Sequence, residues 1–215
     1  MTDVLTGHSS PLSPRRTQTR LRLMDAAVSA FAERGIIGAS VEEICESAGF
    51  TRGAFYSNFS DKDELVVALL RTEIDNQYQA AQLAITALKS AADSDTSAEK
   101  LVSIALTAFE DAGRAGRDWI LTQQELLLYA ARVPAVREAY LAYSEMCLKQ
   151  FSSLIGDAIA YAGLEFTVTF EDAVTLLGAA HQQVHLSALL NGEPLDSRPM
   201  GVLLLAITRP TSHST

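Results

Sequence analysis

Residues 40–58 read Ser40-Val41-Glu42-Glu43-Ile44-Cys45-Glu46-Ser47-Ala48-Gly49-Phe50-Thr51-Arg52-Gly53-Ala54-Phe55-Tyr56-Ser57-Asn58. Ser40 followed three residues later by Glu43 is a capping box: the hydroxyl takes an orphan backbone N–H and the carboxylate reaches back. Val41, Ile44, Cys45 and Ala48 then share one face, as an amphipathic helix requires. Gly49 breaks that helix, and Thr51 is placed to cap a third, short one ending near Asn58. Phe55 and the following Phe59 point inward, which leaves Arg52, Gly53, Tyr56 and Ser57 outside. Two short helices joined by a glycine-containing turn form a helix-turn-helix pattern.

The flanks repeat the helical theme. Leu21, Met24, Val28 and Phe31 fall three and four apart, giving a helix over about 17–34 with Gly35 as its stop. Ser60-Asp61-Lys62-Asp63 reads as a second capping box opening a long helix to about Lys89, closed by a polar linker over 90–97. Thr96-Ser97-Ala98-Glu99 caps a helix ending near Gly113, and Asp118 one ending near Arg132. Pro134 opens another to about Ala162. Thr169-Phe170-Glu171-Asp172 caps one ending at Asn191-Gly192, and an apolar piece over 200–207 closes the chain. No run alternates with the period of a strand. The expected fold is all-α, with an N-terminal three-helix domain and a larger C-terminal helical body. The units fall at 1–16 (a flexible basic arm), 17–62, 63–207 and 208–215 (a flexible tail).

Composition narrows the possibilities. The chain has 215 residues, 48% of them hydrophobic, enough for a substantial core. No apolar run is long enough to span a bilayer, and no export signal opens the chain, so the cytoplasm is the expected compartment. Cys45 and Cys147 read as free thiols. The net charge of −9 argues at first against a nucleic-acid partner. Its distribution matters more: Arg15, Arg16, Arg20 and Arg22 sit together with no acid between them, and phosphate contact needs cations on one face rather than a basic average. Arg20 and Arg22, bordering the first helix, are the better candidates.

The outer surface of the third helix suits duplex DNA. Its size fits a major groove, Gly53 permits close approach, and its N-terminus favours phosphate. Lys62 sits in the first turn of a helix, where a cation does not help that helix, and reaching a phosphate would explain it. The run Arg20 to Leu65 resembles the DNA-binding domain of the tetracycline-repressor (TetR) family. The pieces that carry the likeness are Ala26-Ala27, Phe31-Ala32-Glu33-Arg34-Gly35, Ser40-Val41-Glu42-Glu43-Ile44, Ala48-Gly49, residues 52–59 and Lys62-Asp63-Glu64-Leu65. The resemblance implies an all-helical homodimer that binds operator DNA, represses, and releases a roughly palindromic site when a small molecule binds. By position it assigns Thr51, Arg52, Gly53, Ala54, Tyr56, Ser57 and Asn58 to the recognition surface, and Ser40 and Lys62 to phosphate. Phe50, Cys45 and Asn58 depart from the usual residues, Asn58 standing where many members have His.

Beyond residue 66 the likeness is one of helix order. It implies that the helices at about 134–162 and 169–191 form a four-helix bundle with a twin, and their small residues, including Gly156 and Gly178, suit close approach. Tyr78, Phe109, Trp119, Gln123, Tyr129, Tyr143, Met146 and His181 are the candidates for a cavity taking an apolar or aromatic effector. His181 and His185 share a helical face, but Gln182 stands where a metalloprotease helix has its glutamate, so neither a metal nor a cofactor is expected. No phosphate loop, nucleophile elbow or Cys/His cluster organises an enzyme. The rival reading, a small-molecule sensor or protein–protein adaptor with weak or lost DNA binding, predicts a corrupted recognition helix.

Overall fold

The computed structural model describes residues 13–91, 96–112 and 116–211. They form α1 (Pro14–Gly38), α2 (Val41–Ala48), α3 (Arg52–Tyr56), α4 (Lys62–Ala91), α5 (Ala98–Ala112), α6 (Arg117–Arg132), α7 (Pro134–Tyr161), β1 (Leu164–Phe166), α8 (Phe170–Asn191), α9 (Arg198–Ala206) and β2 (Thr208–Pro210). The all-α expectation holds, with one addition. β1 and β2 pair antiparallel, Glu165 opposite Arg209, and Arg209 Nε donates to Glu165 Oε1 at 2.7 Å. Three residues per strand are too few for alternation to register. Residues 208–210 are therefore a strand and not part of a loose tail.

Local chemistry sets the boundaries. The Ser40–Glu43 box is complete, with Glu43 N–H donating to Ser40 Oγ and Ser40 N–H to Glu43 Oε2. Gly49 adopts a left-handed conformation at the end of α2. Thr51 Oγ1 accepts from Ala54 N–H and starts α3, which ends at Tyr56, two residues before the expected Asn58. The α4 cap lies one residue later than expected: Glu64 N–H donates to Asp61 Oδ1 at 2.8 Å, while Ser60 N–H donates to Glu64 Oε2. Ser97 rather than Thr96 caps α5. Asp118 does not cap α6; it lies in that helix's first turn, and Gly116 precedes the helix without a side-chain cap. At the N-terminus Ser13 accepts from Arg16 N–H and Pro14 occupies the first helical position, so Arg15 and Arg16 are helical rather than part of a loose arm. The rest of the expected arm, 1–12, lies outside the described residues.

One apolar core joins the head to the body. Leu23, Ala27, Phe31, Ile44, Phe55 and Phe59 pack with Leu65 and Leu69 of α4, with Trp119 and Leu126 of α6, and with Val136 of α7. The division between 17–62 and 63–207 is thus no gap in packing. α4, of 30 residues, runs from head to body, about 45 Å at ~1.5 Å per residue. The body's own core is thin: Val102, Ile159 and Leu164, with partly buried neighbours such as Leu106, Ile155 and Leu204. α7 buries only Val136 and Ile159 among its described apolar residues, and Leu141 is 57% exposed. No helix among the described residues is long and apolar enough to cross a membrane.

Candidate nucleic-acid interface and effector cavity

The head presents α3 on a rigid support. Phe55 is fully buried, with its ring against Tyr56 at 5.3 Å and Phe59 at 5.6 Å between centroids. On the opposite side Thr51, Arg52, Gly53, Tyr56 and Ser57 are exposed, and Ala54 is half-buried. Arg52 Nη1 lies 2.7 Å from Glu42 Oε1, and its guanidinium is near the Tyr56 ring. The pair is exposed and free to exchange partners, since such surface bridges contribute little. Among the described residues a Cβ built on Gly53 meets only Thr51 Oγ1, at 3.7 Å, so none of them demands glycine there.

Five of the candidate residues have partners within the chain. Asn58 is only 7% exposed, and its amide donates to Ala54 O at 2.8 Å and Ser57 Oγ at 3.2 Å, closing the end of α3 instead of presenting itself outward. Arg20 stacks on Phe59 at 4.0 Å, donates to the Asn58 carbonyl and lies 3.7 Å from Glu64. Burial holds its guanidinium below the usual arginine value, Glu64 opposing the shift. Arg22, itself exposed, donates to Ala48 O at 2.8 Å and covers Phe50. Lys62 Nζ donates to Ile36 O at 2.6 Å and Ala39 O at 3.0 Å, and burial lowers its pKa. These carbonyls, at the end of α1, account for its place in a first turn. Ser40 spends its hydroxyl on Glu43. The exposed cations of the described head are Arg15, Arg16, Arg22, Arg34 and Arg52, with Arg16 Nη2 donating to Ser57 O at 3.1 Å and Arg34 Nη1 lying 2.7 Å from Glu43 Oε1. Replacing Lys62 by Met is accordingly expected to cost about 1–2 kcal/mol of folding stability through the two lost charge-assisted bonds. It should leave the salt slope of DNA binding unchanged; a slope lowered by about one counterion in a salt titration would restore the phosphate role.

The body holds a cavity of about 380 Å³, open to the outside, between α4, α5, α7, α8 and α9. Its walls are largely apolar, and its polar members are Gln77, Tyr140, Ser144 and His181. Ser144 Oγ is buried and has no hydrogen-bond partner among the described residues. A second chamber of about 240 Å³ adjoins it, sharing Ile74, Gln77, Tyr140, Gly178 and His181 and adding Glu73, Gln123, Gln182 and His185. Glu73 Oε1 accepts from Gln77 Nε2 at 2.9 Å and from Gln123.

Among the expected lining residues, Phe109 and His181 border the large cavity and Gln123 the polar chamber. The other five lie elsewhere. Trp119 belongs to the head–body core. Tyr129 donates to Asp63 at 2.6 Å, burial and that carboxylate pushing its pKa up to about 12. Tyr143 donates to Asp75 at 2.5 Å on the outside of α7. Met146 is exposed, and Tyr78 borders neither chamber. Sequence reading missed Gln77, Tyr140 and Ser144. The signal was present in α7: Tyr140, Ser144 and Leu148 repeat every four residues, continuing through Ile155 and Ile159 along one face.

His181 is held neutral. Burial, with His185 beside it at 4.2 Å between ring centroids, pushes its pKa down to about 4. The unfolded value is near 6.5, so the unfolded chain binds the extra proton between these limits. The resulting stability is fully present above pH ~6.5 and is lost as pH falls toward ~4, at most about 3 kcal/mol. His181→Gln is expected to flatten denaturation midpoints over that window; an unchanged pH profile would contradict the burial assigned to His181.

A short exposed helix braced by a capped partner, on a core continuous with a larger helical body, defines a helix-turn-helix protein of the two-part helical type. Residues 23–69 match the family model described as "Bacterial regulatory proteins, tetR family", and the N-terminal domain belongs to that family. The chain is 47% identical over 53 residues to the HTH-type transcriptional regulator TtgR of Pseudomonas putida, a match covering 25% of each chain. The likeness to curated relatives such as TtgR thus spans about a quarter of their length. The whole architecture is similar to the fatty acid degradation regulator FadR of Bacillus halodurans, with a TM-score of 0.66 and 19% identity over 90% of this chain and 96% of that one. It is also similar to the transcriptional regulator FadR of Bacillus subtilis in complex with stearoyl-CoA, with a TM-score of 0.63 and 16% identity over 87% and 97%.

Proposed function

We propose that this protein is a sequence-specific DNA-binding transcriptional regulator that acts as a homodimer in the cytoplasm and releases a palindromic operator when a small molecule enters the body. The observation that carries it is the outward ridge of α3: Thr51, Arg52, Gly53, Tyr56 and Ser57 exposed while Phe55 is fully buried beneath them. Gly53, where a Cβ would meet only Thr51 Oγ1 among the described residues, suits the close approach of a nucleic-acid backbone. The homology of residues 23–69 supports the same assignment, and an intact α3 runs against the adaptor reading.

Dimerisation rests on α7 and α8. Leu141 on α7 and Leu176 and Leu190 on α8 are exposed apolar side chains, and a Cβ at Gly156 meets nothing within 4 Å among the described residues. Helices so poor in buried contacts within one chain gain them from a twin. The two heads of a two-fold dimer read two equivalent half-sites, which makes the operator palindromic.

The test is selection from a randomised duplex pool at modest ionic strength. A palindromic consensus is expected, and Arg52→Ala should weaken its binding about tenfold to a hundredfold and relax preference at one position in each half-site. Recovery of no consensus by folded, dimeric protein would end this reading.

A further inference from the structure

Resting on the body's role as an effector site, we propose that the 380 Å³ cavity takes an elongated, uncharged effector with one oxygen near its end, such as a medium-chain alcohol or ketone, that oxygen hydrogen-bonded to Ser144 Oγ. The shape follows from the two helices that run along the space. Tyr143 donates to Asp75 and Tyr161 donates to the Lys89 carbonyl, so α7 lies alongside α4 and runs the same way. Ile74 and Leu88 both line the cavity, which therefore follows α4 for about 21 Å at ~1.5 Å per residue. A slot of this form suits a chain. Its ends differ. Gln77, Tyr140 and His181 also border the polar chamber, and Ser144 stands one turn along α7 from Tyr140. The far end is made by Leu88, Val102, Ile159 and Leu204, all apolar.

Among the described residues that line this cavity there is no Asp, Glu, Lys or Arg. Burial holds the His181 ring neutral at neutral pH. Glu73 belongs to the adjoining chamber rather than to this wall, and it accepts from Gln77 and Gln123. A carboxylate, phosphate or ammonium beside Ser144 would therefore be withdrawn from water with no opposite charge on the wall, which is costly. A neutral oxygen avoids that cost. Ser144 also supplies the reason for an oxygen. Its Oγ is buried and has no hydrogen-bond partner among the described residues, and a buried hydroxyl without a partner destabilises the chain that holds it. A ligand oxygen can accept that O–H, whereas a pure hydrocarbon leaves it unpaired. One such bond on a largely apolar wall fixes which way round the chain lies, with its tail toward Leu88 and Ile159.

Decanol, 2-decanone, decanoate and decylamine share a chain length and differ in head group, and butylbenzene carries no oxygen at all. Their binding to the full-length protein is measured by equilibrium dialysis below micellar concentrations, with release of pool-selected DNA followed in parallel. The alcohol and the ketone should each bind about tenfold or more tighter than either ion. Ser144→Ala should weaken the alcohol and the ketone about threefold to tenfold and leave butylbenzene unmoved. It should also leave the thermal midpoint of the free protein unmoved or raised, because it removes an unpaired hydroxyl. Ser144→Thr keeps the hydroxyl and should keep most of the affinity. Either ion binding as tightly as the alcohol, alcohol and ketone affinities unmoved in Ser144→Ala, an equal loss for butylbenzene, or no binding by any of the five would overturn the proposal. If the Ala variant does not fold, the order of the five ligands on the unaltered protein decides. Neutral-selective, Ser144-dependent binding that leaves DNA bound keeps this site chemistry and removes the effector role. DNA release by an ion alone does the reverse.

Discussion

Phe55→Ala is expected to lower folding stability by about 3–5 kcal/mol and to abolish selective DNA binding. α3 has five residues, far below the length at which a helix holds itself in water. Phe55 is the one fully buried side chain on it, and the ring meets Tyr56 and Phe59 edge-on or tilted. Truncation leaves a ring-sized void and detaches the ridge from α1 and α2. Urea denaturation gives the stability change, and binding to the pool-selected duplex gives the functional one. Tyr56→Ala is the control: with 49% of Tyr56 exposed, its loss should weaken DNA binding while moving the urea midpoint little. A Phe55→Ala cost below about 1 kcal/mol would show that α3 is held by its caps rather than by this ring.

The sequence was legible where a single local device decides the outcome. Ser40 with Glu43, Gly49, Thr51, Pro134, Thr169 and Gly192 each mark a helix end, because capping and left-handed glycine act within a few residues. Phe55 and Phe59 follow from their spacing on a short helix. The long basic side chains were not legible. Read along the chain, Arg20, Arg22 and Lys62 give no sign of the partners they have within it, which are carbonyls and rings far away in sequence, such as Ile36 and Ala39 for Lys62. Such cations lay their stems over apolar surface and send the charge to whatever acceptor the fold places there. The cavity was harder still. Trp119 and Tyr129 have the residue types of a ligand wall, yet α6 turns both toward the head. Small or plain residues, Ser144 and Gln77 among them, face the open space.

The junction that turns α6 toward the head also yields the last prediction, which concerns Gly35. Its backbone sits at φ 69° and ψ 164°, a region that essentially only glycine occupies and that costs other residues about 1–3 kcal/mol. The space is closed as well: a Cβ there lies 2.9 Å from Glu125 Oε2. That oxygen accepts the Ile36 N–H at 3.1 Å, and Ile36 is fully buried. Gly35→Ala therefore strains the backbone and displaces the carboxylate, leaving a buried N–H without its acceptor at about 1–3 kcal/mol more. A total loss of about 2–5 kcal/mol is expected in denaturant unfolding. Glu125→Gln keeps an acceptor oxygen in place and should cost much less. The consequence extends past stability, because α6 carries Gln123 at the polar chamber, Thr122 bonded to Val28 O, and Glu125 at Ile36. One helix thus touches both the polar chamber and the end of α1. A Gly35→Ala protein that remains folded should still bind ligand in the body while its operator affinity no longer responds to that ligand. An unaltered unfolding midpoint together with an unaltered ligand response would show that the α1–α6 junction tolerates a side chain and transmits nothing.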